Sequence, residues 1–483
     1  MNAGVNKGIT EDWLSLWIGL LVFVLALGVL AGADILGWVV TTGMWTDVTK
    51  ALGTGSKAFS GLGGIGALIA TYIALLVVMS IGAAALRVDV KRFALGFTAV
   101  FWLSYICWII GSWASFAANT PADMKKFGIT WSLRLTSEGG FIVALLAGLF
   151  VGNFMPRFAE WMKEAVRPEL YVKTAIVILG GFLGVTAAEK LSLATSVMFL
   201  GLAAIVCAYL IFWSVVYYVA RVWFGFSREW AVPLASGISI CGVSAAIATG
   251  AAIRARPMVA IMVSSLVVVF AVVELLFLPF LAETYLWHEP LVSGAWMGLS
   301  VKTDGAAVAS GAITEALVLG KSAAEGVNYA KGWVLGTSAT VKVFIDVFIG
   351  VWAFVLAYIW TRHIEAKGTD KAKASEIWER FPKFIIGYVI TFAVIFALAL
   401  GAAPATLGKV KAAMGEANAF RGIFFVLTFF TIGVMSNFRK LWEEGIGKLA
   451  AVYVVCLFGF IIWVGLLISF LFFGGVKPPL VTG

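Results

Sequence analysis

Residues 65–86 read IGALIATYIALLVVMSIGAAAL, a run without a single charge or proline. About 20 apolar residues is the length a helix needs to cross a hydrocarbon slab. A transmembrane barrel strand would instead show about 10 residues of alternating polarity. In lipid the backbone of a continuous apolar run must satisfy its own N–H and C=O groups, and only a helix does this within one segment. The signal repeats along the chain. Apolar residues make up 61% of 483 positions and charged residues only 13%, about half the charged share of an ordinary soluble domain. The mean hydropathy is +1.00.

Thirteen hydrophobic segments are expected, near 13–33, 64–86, 93–117, 139–155, 171–187, 193–219, 230–253, 258–282, 291–315, 333–360, 384–402, 421–437 and 449–474. The fold class is therefore an all-α polytopic membrane protein with about 13 transmembrane helices. The first segment follows Glu11 and Asp12 rather than a basic stretch. It lacks the marks of a cleaved signal peptide and is expected to stay. The stretch from Arg362 to Lys383 is strongly polar and reads as an extramembrane connector with some helix.

Composition excludes several functions. Four cysteines, Cys107, Cys207, Cys241 and Cys456, show no paired or metal-ligand spacing, and there are only two histidines. No metal site or cofactor is expected. No HExxH and no nucleophile elbow is present, so the chain is not read as an enzyme. The net charge of +9 lies in short loops, where cations set topology and meet anionic lipid. Nothing suggests nucleic acid. Lys and Arg in alternate loops divide 18 against 14 in favour of the side holding the N-terminus. That bias predicts a cytoplasmic N-terminus in a bacterial-type inner membrane.

Two segments differ from the rest. One contains Ser236-Gly237-Ile238-Ser239-Ile240-Cys241-Gly242-Val243-Ser244 and continues AAIATGA over 245–251. The other contains Ser293-Gly294-Ala295-Trp296-Met297-Gly298-Leu299-Ser300-Val301-Lys302-Thr303-Asp304-Gly305 and continues AAVASGA over 306–312. Gly costs about 1 kcal/mol against Ala in a helix interior, and Ser competes for backbone hydrogen bonds. Both segments are therefore expected to be discontinuous helices. Broken helices in a membrane must line a cavity or be buried in protein, and their half-helix N-termini attract anions. Small residues also serve close helix packing. The pairing of the breaks, one of them charged, favours a transporter's midplane site.

Charge inside the apolar segments is the second signal, since each intramembrane charge costs ~3 kcal/mol on insertion scales. Lys302 and Asp304 fall in the second break, and Lys342 and Asp346 stand one turn apart in TVKVFIDVFIG. Lys302 is expected to compensate a substrate's charge, with Asp304 as its neutralising partner. Lys342 and Asp346 are spaced for a structural ion pair or a coupling role. Glu274 is expected near an interface or against a neighbouring helix.

These residues also carry a resemblance. The runs Gly237–Ala245, Gly294–Val301 and Leu145–Asn153 resemble signatures of the YeiH-like sulfate exporter family of bacteria, over about residues 139 to 475. The resemblance implies an inverted-repeat fold similar to sodium/proton antiporters and bile-acid symporters. There are departures. Lys302 and Thr303 stand where that family usually has His and an acidic residue, and Ile345 stands where an Arg is expected after Lys342. A permanently charged Lys in place of a titratable His would alter proton coupling.

The expectation is thus a transporter of a small anion such as sulfate, sulfite, a sulfonate or a carboxylate, working by alternating access. Residues 1–118 would form an accessory bundle and 119–483 a core of about ten spans, with a scaffold panel, a mobile panel and a homodimer partner. Substrate contacts are assigned to Ser239, Cys241, Gly242, Ser244, Gly298, Ser300, Lys302 and Thr303. Coupling to a proton or sodium ion is assigned to Asp304, Lys342 and Asp346. A cation-coupled organic anion symporter and an anion channel are the rival readings.

Overall fold

The computed structural model describes residues 9–118, 121–133, 139–189, 191–360, 364, 382–436 and 447–481. The connector expected between Arg362 and Lys383 falls almost wholly outside them. The helices are α1 Glu11–Ala26, α2 Gly63–Ala85, α3 Val90–Gly111, α4 Ala114–Ala117, α5 Pro121–Phe127, α6 Gly139–Phe154, α7 Pro156–Trp161, α8 Pro168–Glu189, α9 Leu191–Tyr218 and α10 Arg228–Ser239. They continue with α11 Gly242–Ala252, α12 Pro257–Leu286, α13 Pro290–Ser300, α14 Asp304–Ala324, α15 Trp333–Ile359, α16 Phe384–Ala399, α17 Pro404–Met435, α18 Gly447–Cys456 and α19 Ile462–Phe473. Among the described residues, nine helical stretches are long and apolar enough to cross a membrane, and α6 and α16 are shorter apolar helices. The chain is a helical, multi-pass membrane protein. One local exception is a small antiparallel ribbon between α1 and α2, β1 Val40–Thr42 against β2 Leu52–Thr54, with Val40 opposite Thr54.

The chain divides into two compact units, Met1–Lys190 with Lys383–Met435, and Leu191–Pro382 with Ser436–Gly483. In the first, glycines let helices approach at backbone distance. On α6, Gly148 lies on the carbonyl of Phe430 and Gly152 on that of Val434, while Gly433 of α17 lies on the carbonyl of Leu145. The Leu145–Asn153 run is thus a small-residue packing face. Gly180 and Gly184 of α8 seat α16 in the same way, against the carbonyls of Tyr388 and Phe392. Thr391 Oγ1 adds a hydrogen bond to Val177 O at 2.7 Å. The α1 helix packs on α8 and is pinned there by Lys173 Nζ to Asp12 Oδ1 at 2.7 Å.

The second unit corrects the expected path of the two broken segments. Each is a helical hairpin, so neither runs on in one direction after its break. In the first hairpin, α10 ends where Ile240 adopts φ −109, ψ −92, and Cys241 is extended at φ −134, ψ 115 before α11 begins. A methyl on Gly237 would stand 3.5 Å from Ala246 Cβ, and one on Gly250 3.6 Å from Pro233 Cγ. Those pairings converge on Cys241 from both sides, so α10 and α11 are antiparallel. The base is closed by Glu229, whose Oε1 accepts from Arg256 N and Nε, each at 2.9 Å.

In the second hairpin both arms lie on α15, in opposite senses. Gly294 and Gly298 of α13 face the carbonyls of Val334 and Ser338, in ascending order. On α14 the order reverses, with Ala307 O accepting from Ser338 Oγ at 2.9 Å, whereas a methyl on Gly311 would stand 3.7 Å from Leu335 Cα. Ser322 Oγ bonds Trp287 O at 3.1 Å and closes this base. The turn is extended backbone at Val301, and Thr303 caps α14 by accepting from Ala306 N at 3.2 Å.

The α12 helix runs past the first hairpin and on to the second. Its Val263 packs at Gly237, its Val267 at Gly242, and its Glu274 at Lys302. In the other direction, α15 starts beside α13, passes the tips at Lys342, and reaches Ala252 of the first hairpin with Ala353 and Ala357. The hairpins therefore point at each other from opposite ends of α12. The arms α10, α11 and α13 hold 12, 11 and 11 residues. At 1.5 Å per residue each is roughly 17 Å long, about half a hydrocarbon slab.

Candidate functional site

The two tips touch. Gly242 N donates to Lys302 O at 2.6 Å, joining the N-terminus of α11 to the turn before α14. Gly242 is required there because a β-carbon would collide with the Val267 side chain and press on Thr303. Two C-terminal helix ends, of α10 and α13, and two N-terminal ends, of α11 and α14, thus converge in one buried place. Each end carries about half an elementary charge, and the side chains present answer both signs.

Positive groups meet the C-terminal ends. Lys342 Nζ donates to Ile240 O at 3.0 Å and to Lys302 O at 3.3 Å, and lies 3.6 Å from Asp304 Oδ1. Lys302 Nζ donates to Leu299 O, the carbonyl of its own arm, and sits 4.9 Å from the Phe212 ring centre. Negative groups meet the N-terminal ends. Asp304 occupies the first turn of α14 and accepts from the thiol of Cys241, the residue that precedes the first turn of α11. Glu274 on α12 takes Lys302 N at 3.2 Å and Tyr453 OH at 3.3 Å. Asp346, one turn beyond Lys342, adds its charge to that ammonium.

The residues singled out from the sequence are largely brought together. Lys302, Thr303, Asp304, Lys342, Asp346, Cys241 and Gly242 meet at the tips. Ser239 and Ser300 end the incoming arms α10 and α13, and their hydroxyls are buried without a hydrogen-bond partner among the described residues. Gly298 faces the backbone of α15. Ser244 stands in the first turn of α11, with its side chain outside the described residues. Glu274 is fully buried at tip level against Tyr453 of α18, the second of the two placements expected for it, and its charge within an apolar helix was the sequence signal for it. Tyr453, Phe212 and Trp296 were missed, since long-range contacts alone bring them in. Trp296 Nε1 donates to Ile462 O at 2.8 Å and ties the second hairpin to α19.

Cys241 Sγ and one oxygen each of Asp304 and Asp346 lie within 4.8 Å of one another. The ammonium of Lys342 already supplies a cation to this cluster. The donor set is therefore filled by the protein's own charge and is not read as a metal centre.

Two opposed helical hairpins meeting tip to tip beside antiparallel long helices define a multi-pass membrane protein with a buried, charge-bearing centre. The chain belongs to the family described as conserved hypothetical protein 698, which matches residues 130–453. A UPF0324 membrane protein of Nitrosomonas europaea is 40% identical over 481 residues, 97% of each chain. An uncharacterized protein of Archaeoglobus fulgidus is 48% identical over 183 residues, covering 34% of this chain and 97% of its own. A UPF0324 membrane protein of Rhodopirellula baltica is 32% identical over 323 residues, 65% of this chain and 54% of its own. No solved structure matches the chain.

Proposed function

We propose that the chain is a secondary transporter of a small anion, sulfate, sulfite or a sulfonate, working by alternating access as in the YeiH-like sulfate exporters. The observation that carries this reading is the pair of buried hydroxyls, Ser239 Oγ and Ser300 Oγ, without hydrogen-bond partners beside the joined tips. Buried polar groups cost free energy unless they are bonded. These two donors end α10 and α13, just before the turns that lead into the positive ends of α11 and α14, and with those ends they suit an oxyanion. Lys302 would compensate its charge, and Cys241, Gly242, Ser244, Gly298 and Thr303 would shape the place it occupies.

On this reading hairpins opposed across α12 form an inverted repeat, residues 1–118 an accessory bundle, 119–483 the transport core, and a second copy the dimer partner. With the first hairpin returning to its starting side, Arg254 and Arg256 join the N-terminal side. The cation division then moves from 18 against 14 to 20 against 12. This supports a cytoplasmic N-terminus in an inner membrane.

The test is a thermal-shift screen of the purified protein against sulfate, sulfite and methanesulfonate, followed by labelled uptake into liposomes. Saturable stabilisation by one oxyanion, weakened at least tenfold in Ser239→Ala/Ser300→Ala and in Lys302→Ala, is the expected result. A response that is unchanged in these variants removes the site. Non-saturating flux that follows voltage would make the protein a channel instead.

A further inference from the structure

A buried Tyr or Trp usually finds a partner for its polar atom. Three that do not stand together in the second unit. Tyr209 OH on α9, Trp352 Nε1 on α15 and Trp360 Nε1 just past its end are buried without a hydrogen-bond partner among the described residues. The side chains of Tyr209 and Trp360 are each only 9% exposed. An indole N–H can only donate, so nothing but an acceptor satisfies it. A plain ring would fill such places without stranding a donor, so packing alone does not call for these residues.

The three belong to one aromatic column between α9 and α15. The Trp352 ring meets Tyr209 edge to face at 5.7 Å and Trp213 at 5.2 Å, and Trp213 stacks on Tyr217 at 5.0 Å. Trp360 lies in one apolar cluster with Val232 and Ile253 of the first hairpin, against which Tyr217 and Trp352 also pack. One end of the column is the first tip. Tyr209 is within electrostatic reach of Cys241 and Asp346 there. Ser239, whose hydroxyl is also without a partner, lies one turn beyond Ser236, which receives Trp213 Nε1 at 2.9 Å. The other end is the base of the first hairpin. Residues 219–230 and 253–257 hold four arginines there against one acid, Glu229. A mouth with that balance attracts anions.

We propose that this column lines the passage of a small oxyanion between the tips and the base of the first hairpin. The phenol O–H and the two indole N–H groups take the place of its hydration water. Neutral donors suit a passage, since they receive an anion without holding it as an ammonium would. Aromatic faces by themselves attract cations, so charge preference is the property that tests the donors. That the passage serves transport rests on the anion-transport reading, whereas the entry of an anion does not.

The test uses the full-length protein in liposomes, without native cysteines and carrying Leu356→Cys, a buried position in the same cluster. Two thiol reagents of similar size are compared, sulfonatoethyl and trimethylammonioethyl methanethiosulfonate, each rate scaled to that with free cysteine. The anionic reagent should react at least ~tenfold faster. Val232→Cys on α10 faces the same cluster and should give the same preference. Adding Trp352→Phe and Trp360→Phe, which keep a ring and remove the donors, should bring the ratio close to one. No reaction at either position, equal rates, or a faster cation overturns the proposal, as does a ratio unchanged by the two Phe substitutions. No binding at the tips enters this ratio, so its failure leaves the anion screen standing, and an empty screen leaves the ratio standing.

Discussion

Lys342 reaches across 3.0 Å to Ile240 O and across 3.3 Å to Lys302 O, so one ammonium holds the carbonyls of both hairpin tips. It also stands 3.6 Å from Asp304, with almost no solvent access on either side. A cation that answers two helix C-termini and a carboxylate is hard to replace, and its removal takes this donor from Ile240 O and the ammonium from Asp304, while Lys302 O keeps Gly242 N.

Lys342→Met should therefore destabilise strongly, by about 3–5 kcal/mol, the range for breaking one side of a buried pair. Asp304→Asn in the same chain should recover part of the loss, because it removes the stranded charge. Thermal unfolding of both single variants and the double variant gives the coupling. Strictly additive losses would mean that the two groups do not interact.

Gly242 and Gly298 are both short of space, for different reasons. A methyl on Gly242 meets the Val267 side chain, whereas one on Gly298 stands 2.8 Å from the Ser338 carbonyl. Each Ala variant should lose about 1–3 kcal/mol, the usual cost of overpacking. Val267→Ala should rescue Gly242→Ala. No single side-chain truncation should rescue Gly298→Ala to the same degree, since a backbone atom cannot be trimmed. Differential unfolding temperatures decide this.

The hairpin path makes a topological prediction. In a background without native cysteines, Ser227→Cys and Ala255→Cys should react with an impermeant maleimide from the same face. Asn328→Cys should react from the opposite one. Labelling of residues 227 and 255 from opposite faces would restore a crossing helix between them.

Trp296 is expected to anchor the second hairpin through its bond to Ile462 O. Trp296→Phe should cost about 1 kcal/mol, the net worth of one hydrogen bond. The exposed Trp223→Phe serves as the control and should change little. Equal effects in the two variants would remove the anchoring role.

At the base of the first hairpin, Arg256 beside Glu229 holds that carboxyl below the usual carboxylate value of 4.5. A depressed acid stabilises the fold above its unfolded value, and the contribution fades as pH falls through the folded value. Protection of the amides around Arg254 to Arg256 from hydrogen exchange, taken relative to the intrinsic rate at each pH, should fall in acid. Glu229→Gln should remove that pH dependence, leaving the same reduced protection at neutral and acid pH. The pair is exposed, so the effect stays local.

Much of this was legible in the amino acids and some was not. Ser236–Ser244 and Ser293–Gly305 stood out because Gly and Ser are weak helix formers in the middle of an apolar run. Lys302, Asp304, Lys342 and Asp346 stood out because charge is rare there. The hairpin turns were hidden, because 24 residues suit one crossing as well as two half-crossings. What separates these options is Gly250 meeting Pro233 and Gly237 meeting Ala246, contacts that appear only once the chain has folded back. Tyr453 lies 179 residues from its partner Glu274, and no local pattern marks such a pair.

The tip contacts also impose an order in time. Ile240 O is bonded by a lysine that lies 102 residues further along the chain. At about 5–20 residues per second of synthesis, the first tip waits roughly 5–20 s for that donor. During this interval a newly made hairpin carries polar backbone that lipid cannot satisfy. A ribosome-bound chain that stops short of α15 is thus the form most exposed to membrane quality control.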